Sequence, residues 1–149
     1  MAYRRNREKT VIIRFFLLLV FIYYLYYLFK TSLFNRYIAN NSMRGLVIAP
    51  FSNYYFKKNM LFTVKGFRAI AGPILVFIPM GLMLPLLHEK TKKYWHVLLI
   101  GLMFSFGIEF LQYITKTGIS ATDDIILNLL GVSLGFLSYL ALKEVFLYA

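Results

Sequence analysis

The length of its apolar runs constrains this chain more than any other feature. A helix needs about 20 mostly apolar residues to cross a hydrocarbon core about 30 Å thick. Residues 11–29 carry a single charge, Arg14, and residues 69–87 carry none; residues 95–115 carry only Glu109, and residues 125–142 again none. In lipid every backbone N–H and C=O must be satisfied within the segment, so such runs predict helices. The expected fold is an all-α integral membrane protein. It is a four-transmembrane-helix bundle, read as one domain over residues 1–149. Composition agrees: the chain is 60% hydrophobic, against roughly 45–50% in soluble domains. So much apolar surface also excludes a disordered chain. There is no cysteine, which excludes disulfide scaffolds, thiolate zinc sites and thiol catalysis.

Two segments need separate treatment. Arg4, Arg5, Arg7 and Lys9 precede the first run, as in a secretory signal. That run ends in Tyr26, Tyr27, Leu28 and Phe29, however, with no small-residue cleavage site, so an uncleaved anchor is expected. Its tyrosines suit an interfacial belt. Between the first two helices, residues 45–56 and 60–64 are apolar but too short to span, and Pro50 breaks regular helix. An interfacial or re-entrant segment fits, as does a loop packed on the bundle. Pro73, Pro79 and Pro85 all fall in the second helix. Pro79, near its middle, should kink the helix unless the segment is discontinuous.

Net charge is +11, from 17 basic and 6 acidic residues. On a soluble domain this would raise nucleic acid as a partner. Here the bases flank apolar runs, so the expected partners are anionic lipid headgroups, with no nucleic acid. The bases divide evenly between the two sides. Those flanking the first helix normally dominate, so Arg4, Arg5 and Arg7 favour cytoplasmic termini, with loops 30–68 and 116–123 facing outward.

Three of the acids fall in a short stretch of the third and fourth helices. Glu109 lies inside an apolar run, and Gln112 follows on the same helix face. Gly101 and Ser105 extend that stripe backwards, and small residues let another helix approach closely. In the fourth helix Asp124, Asn128, Gly131 and Gly135 form a second stripe, and Asp123 or Asp124 suits the helix start. A short loop makes the two helices antiparallel neighbours. Glu109, Gln112, Asp123, Asp124 and Asn128 are therefore expected to gather at one end. Two readings of this cluster stand. One is an interhelical hydrogen-bond network, at about 0.6 kcal/mol per bond in membrane. The other is a functional pocket, favoured because a charge at the bilayer centre costs about 2.5–3.5 kcal/mol on insertion scales.

Other motifs carry less. His88 and Glu89 resemble the start of a zinc-protease helix, but Lys92 stands where its second histidine belongs. His88 and His96 are read as solvated membrane-edge residues, and neither a metal nor a cofactor is expected.

The motifs resemble those of the VanZ-like family of small bacterial membrane proteins, named for a teicoplanin-resistance accessory protein. Phe77-Ile78-Pro79-Met80-Gly81-Leu82-Met83-Leu84-Pro85 resembles its F-x-P-x-G-x-x-x-P helix. Ile108-Glu109-Phe110-Leu111-Gln112 resembles its I-E-x-x-Q. The stretch from Asp123 through Asp124, Asn128 and Gly131 to Gly135 resembles its D-D-x-x-x-N-x-x-G-x-x-x-G. Pro50-Phe51 resembles a further block. The likeness covers about residues 45–140. The loop before the aspartates departs from the family pattern: Lys116 is the nearest base where the family often has arginine. The resemblance implies a multi-pass plasma-membrane protein of a Gram-positive cell envelope. It implies, in some members, resistance to lipoglycopeptides such as teicoplanin. The expected partner is a lipid, a lipid-linked cell-wall precursor or a lipoglycopeptide. An intramembrane enzyme acting on a lipid or polyprenyl substrate and a small proton-coupled transporter subunit are the alternatives. Pro79, Gly81, Pro85, Gly131 and Gly135 are assigned to helix packing or kinking.

Overall fold

The structure, a computed structural model, describes residues 2–39, 45–47, 63–115 and 119–148. Four helices dominate it: α1 (Ala2–Ala39), α2 (Val64–Leu87), α3 (Tyr94–Thr115) and α4 (Thr122–Tyr148). A 3-10 turn, Glu89–Lys92, joins α2 to α3. Two short strands, β1 (Gly45–Val47) and β2 (Ile119–Ala121), pair in parallel, with Gly45 opposite Ile119 and Val47 opposite Ala121. Each helix contains a segment long and apolar enough to cross a bilayer: Val11–Ser32, Gly66–Leu87, Tyr94–Thr115 and Thr122–Val145.

The helices outrun the apolar runs at several ends, for identifiable reasons. At 38 residues, α1 measures roughly 57 Å at 1.5 Å per residue, well beyond a bilayer core. Hydropathy marks where a helix enters lipid, not where its hydrogen bonds stop. α2 begins at Val64 rather than 69 because Thr63 caps it, its hydroxyl oxygen accepting from the Gly66 N–H at 3.1 Å. α4 begins at Thr122 rather than 125, because Asp123 and Asp124 in its first turn complement the positive end of the helix dipole. Of the expected interfacial or re-entrant segment, the described part is β1. Residues 48–62, including Pro50 and Phe51, lie outside the described residues.

Pro73, Pro79 and Pro85 all sit inside one continuous α2, so the discontinuous alternative does not hold. Pro79 offers no N–H to the Leu75 carbonyl. In that turn the Tyr24 hydroxyl of α1 donates to the Val76 carbonyl at 2.8 Å. Past Pro85, the Thr91 hydroxyl lies 2.6 Å from the Leu84 carbonyl and 2.7 Å from that of His88, so one buried proton serves the end of α2.

α2 and α4 make the most intimate contact, through glycines. A Cβ on Gly131 would overlap the Ile74 carbonyl, one on Gly135 the Ile78 carbonyl, and one on Gly81 the Val132 carbonyl. As α2 advances from Ile74 to Ile78, α4 advances from Gly131 to Gly135, so these helices run parallel. In lipid the apolar tails compete for every side chain, so close backbone approach and dispersion drive association. The core around this seam comprises Leu28, Phe77, Met80, Val97, Ile108, Val132, Phe136 and Tyr139.

Arg14 of α1 pairs with Glu89 at 3.0 Å, and Lys92 with the same carboxylate at 2.9 Å. This places the early part of α1 on the same side as the α2–α3 connection. The Lys92 hydrogen bond and charge, with a smaller contribution from Arg14, hold the Glu89 carboxyl below its usual 4.5. A depressed folded value contributes stability that is complete above the unfolded value and is lost as pH falls through the folded one. The pair is solvent-exposed, so its contribution is small. Acid titration of thermal stability should show a shallow loss beginning below about pH 4.5. Glu89→Gln should flatten that limb and leave the plateau near pH 7 in place. An unchanged acid limb would remove Glu89 from the account.

Candidate functional site

Helical spacing on α3 puts Gly101, Ser105, Glu109 and Gln112 on one buried stripe. A matching stripe on α4 carries Asp124, Asn128 and Val132. Two contacts fix how they face each other. A Cβ on Gly101 would lie 2.7 Å from Val132 Cγ2, and Asn128 Nδ2 donates to Ser105 Oγ at 2.8 Å. Four residues along α3 are thus matched by four residues back along α4, the signature of an antiparallel pair. The next step places Glu109 level with Asp124. Those two contacts set the register, and the helix period then carries the two carboxylates to one layer.

These polar groups are withdrawn from the surface. Glu109 is 4% exposed, Asp124 2%, Asn128 5%, Asp123 6% and Gln112 1%. Glu109, Asp123 and Asp124 are each engaged within the structure rather than free. The cluster extends to α1, where Gln112 Nε2 donates to the Ser32 carbonyl at 2.8 Å. The other edge of that amide, Oε1, is buried and accepts no hydrogen bond among the described residues. The β1–β2 pair ends at Ala121, directly before α4, and so belongs to this same end of the bundle.

The structure therefore ties Gln112, Ser105 and Asn128 into interhelical bonds and brings Glu109 and Asp124 to one level, with Asp123 beside them in the first turn of α4. Pro79, Gly81, Pro85, Gly131 and Gly135 lie away from it, the glycines along the α2–α4 seam. His88 is exposed and its Nδ1 accepts from the Lys90 N–H at 3.1 Å; His96 is exposed too. Among the described residues no three His, Asp or Glu side chains converge as a metal site. Sequence reasoning gave Ser105 only a packing role, although it accepts the Asn128 bond. It missed Ser32 altogether, because the acceptor there is a main-chain oxygen that leaves no trace in side-chain identity.

Chemically, this end offers carboxylate and amide groups packed in an otherwise apolar bundle. Such groups are costly in lipid and characteristically face a protein interior or a cavity. Comparison with known proteins adds one match: a family model described as VanZ/LLP1 fits residues 14–143. No curated protein matches, and neither does any solved structure.

Proposed function

The chain belongs to the VanZ/LLP1 family, and we propose that it is a bacterial plasma-membrane protein that binds a lipid, lipid-linked or lipoglycopeptide ligand at the polar end of its bundle. One observation carries this reading. The layer holding Glu109 and Asp124 lies beside a buried amide, that of Gln112, whose acceptor is unused among the described residues. A purely structural network gains most when every buried group is satisfied. The role is protection against lipoglycopeptides such as teicoplanin, in a Gram-positive cell envelope.

The Arg14–Glu89–Lys92 network supports counting the N-terminal bases and the α2–α3 lysines on one side. That side is cytoplasmic in this reading, and the polar cluster then sits toward the outer leaflet. Cysteines introduced singly at Lys92 and Thr115 test it, since the chain has none of its own. An impermeant thiol reagent on intact cells should label position 115 and spare position 92; the reverse pattern would invert the topology.

The function itself is tested by expressing the chain in a susceptible Gram-positive host beside an empty vector. Teicoplanin and vancomycin are compared and membrane abundance is quantified. Selective protection against teicoplanin is expected. Equal susceptibility of the two strains at good expression would remove the resistance role.

A further inference from the structure

The amide of Gln112 cannot turn over freely. Its Nε2 is held by the Ser32 carbonyl at 2.8 Å, and a flip would set two oxygens against each other. Oε1 therefore keeps its place on the other edge of the amide, buried and without a donor among the described residues. A buried acceptor left unpaired is costly, and in native structures such groups are nearly always satisfied. Glu109 precedes Gln112 by one helical step on the same face, and Asp124 lies level with Glu109. Among the described residues, the buried titratable side chains of α3 and α4 at this end are Glu109, Asp123 and Asp124, all of them acids and each engaged within the structure. A donor bearing positive charge suits that surrounding better than a neutral hydroxyl, and charge-assisted bonds are the stronger kind.

We infer that the ligand of this end presents a primary ammonium group to the Gln112 amide oxygen, within the binding role proposed above. The ammonium can belong to an aminophospholipid headgroup or to a soluble amine.

Phosphatidylethanolamine and phosphatidylcholine carry the same net charge, but the choline nitrogen has no hydrogen to donate. The purified full chain is reconstituted in phosphatidylcholine vesicles, with or without a low mole fraction of phosphatidylethanolamine. A third arm adds soluble phosphoethanolamine to vesicles of phosphatidylcholine alone. Thermal unfolding is followed in each. The wild type should melt several degrees higher with one amine source or the other, and which of them acts identifies the source. Gln112→Met, of similar size with no amide oxygen, should lose the difference.

Equal melting in all arms would overturn the inference, and so would a Gln112→Met protein that keeps the difference. If that variant fails to fold, native mass spectrometry of the wild type decides. Retention of the ethanolamine lipid about tenfold over the choline lipid is expected, and equal retention overturns the inference. Failure here leaves the binding role standing where the teicoplanin phenotype depends on Glu109 and Asp124. Absence of that phenotype as well removes both.

Discussion

Gly135→Val should strongly destabilise the bundle. The new Cβ falls on the Ile78 carbonyl, with Gly81 Cα and Leu82 N each 2.9 Å away. All three are main-chain atoms of α2, so no side chain can rotate out of the way and the helices must part. Parting them undoes the neighbouring contacts at Gly131 and Gly81 together. Overpacking of this kind costs about 3 kcal/mol, which would lower Tm by roughly 10 °C. Gly72 and Gly107 are the internal controls, because a Cβ at either meets nothing within 4 Å. Gly72→Ala and Gly107→Ala should leave Tm unchanged or raise it slightly, since alanine is the better helix former. Thermal melts of the three variants in one detergent test the account. A Gly135→Val protein as stable as Gly72→Ala would mean that α2 and α4 do not meet as described.

The second large effect is expected from Glu109→Gln combined with Asp124→Asn. Each change keeps the shape of the side chain, replaces one carboxylate oxygen by a donating NH2 and removes a charge. Gly101 against Val132 and the Asn128–Ser105 bond both join α3 to α4, and neither substitution removes them. Membrane abundance should therefore stay within about twofold of wild type, consistent with losses near 0.6 kcal/mol per interhelical bond. Protection against teicoplanin should fall to the empty-vector level. Asn128→Leu is the contrasting variant: it breaks the interhelical bond and leaves the carboxylates in place, so abundance should drop before specific protection does. If the charge-removing double variant protects as well as wild type, the carboxylates serve only to hold helices together.

Much of this arrangement was legible in the residues. The four helices followed from apolar length, and the burial of Glu109 and Asp124 at one end of the α3–α4 pair agrees with two stripes on a tight hairpin. Three things were not legible, each for a physical reason. The partner of the glycine stripe was hidden, because Gly131 and Gly135 announce a close approach without saying which helix approaches; α2, not adjacent in sequence, turned out to be that helix. The choice between a kinked and a broken α2 stayed open, because three prolines show which N–H groups are missing and not whether the helix closes over the gaps; α2 is continuous. The pairing of β1 with β2 runs through main-chain groups, and three-residue strands are too short to show alternation.

The parallel seating of α2 on α4 has a consequence for biogenesis. Ribosomes deliver about 5–20 residues per second, so Gly131 emerges some 57 residues and roughly 3–11 s after its partner Ile74. During that interval α2 has entered the bilayer with a surface shaped for a helix not yet made. α3 must be inserted before α4 can arrive, and the strand pair closes only when β2 follows. The nascent chain thus passes through a three-helix stage in which the face of α2 that meets Gly131 and Gly135 is not yet covered by α4. Insertion factors that shelter α2 for those seconds would raise the yield of correctly paired protein. Faster elongation through residues 88–131 would have the same effect.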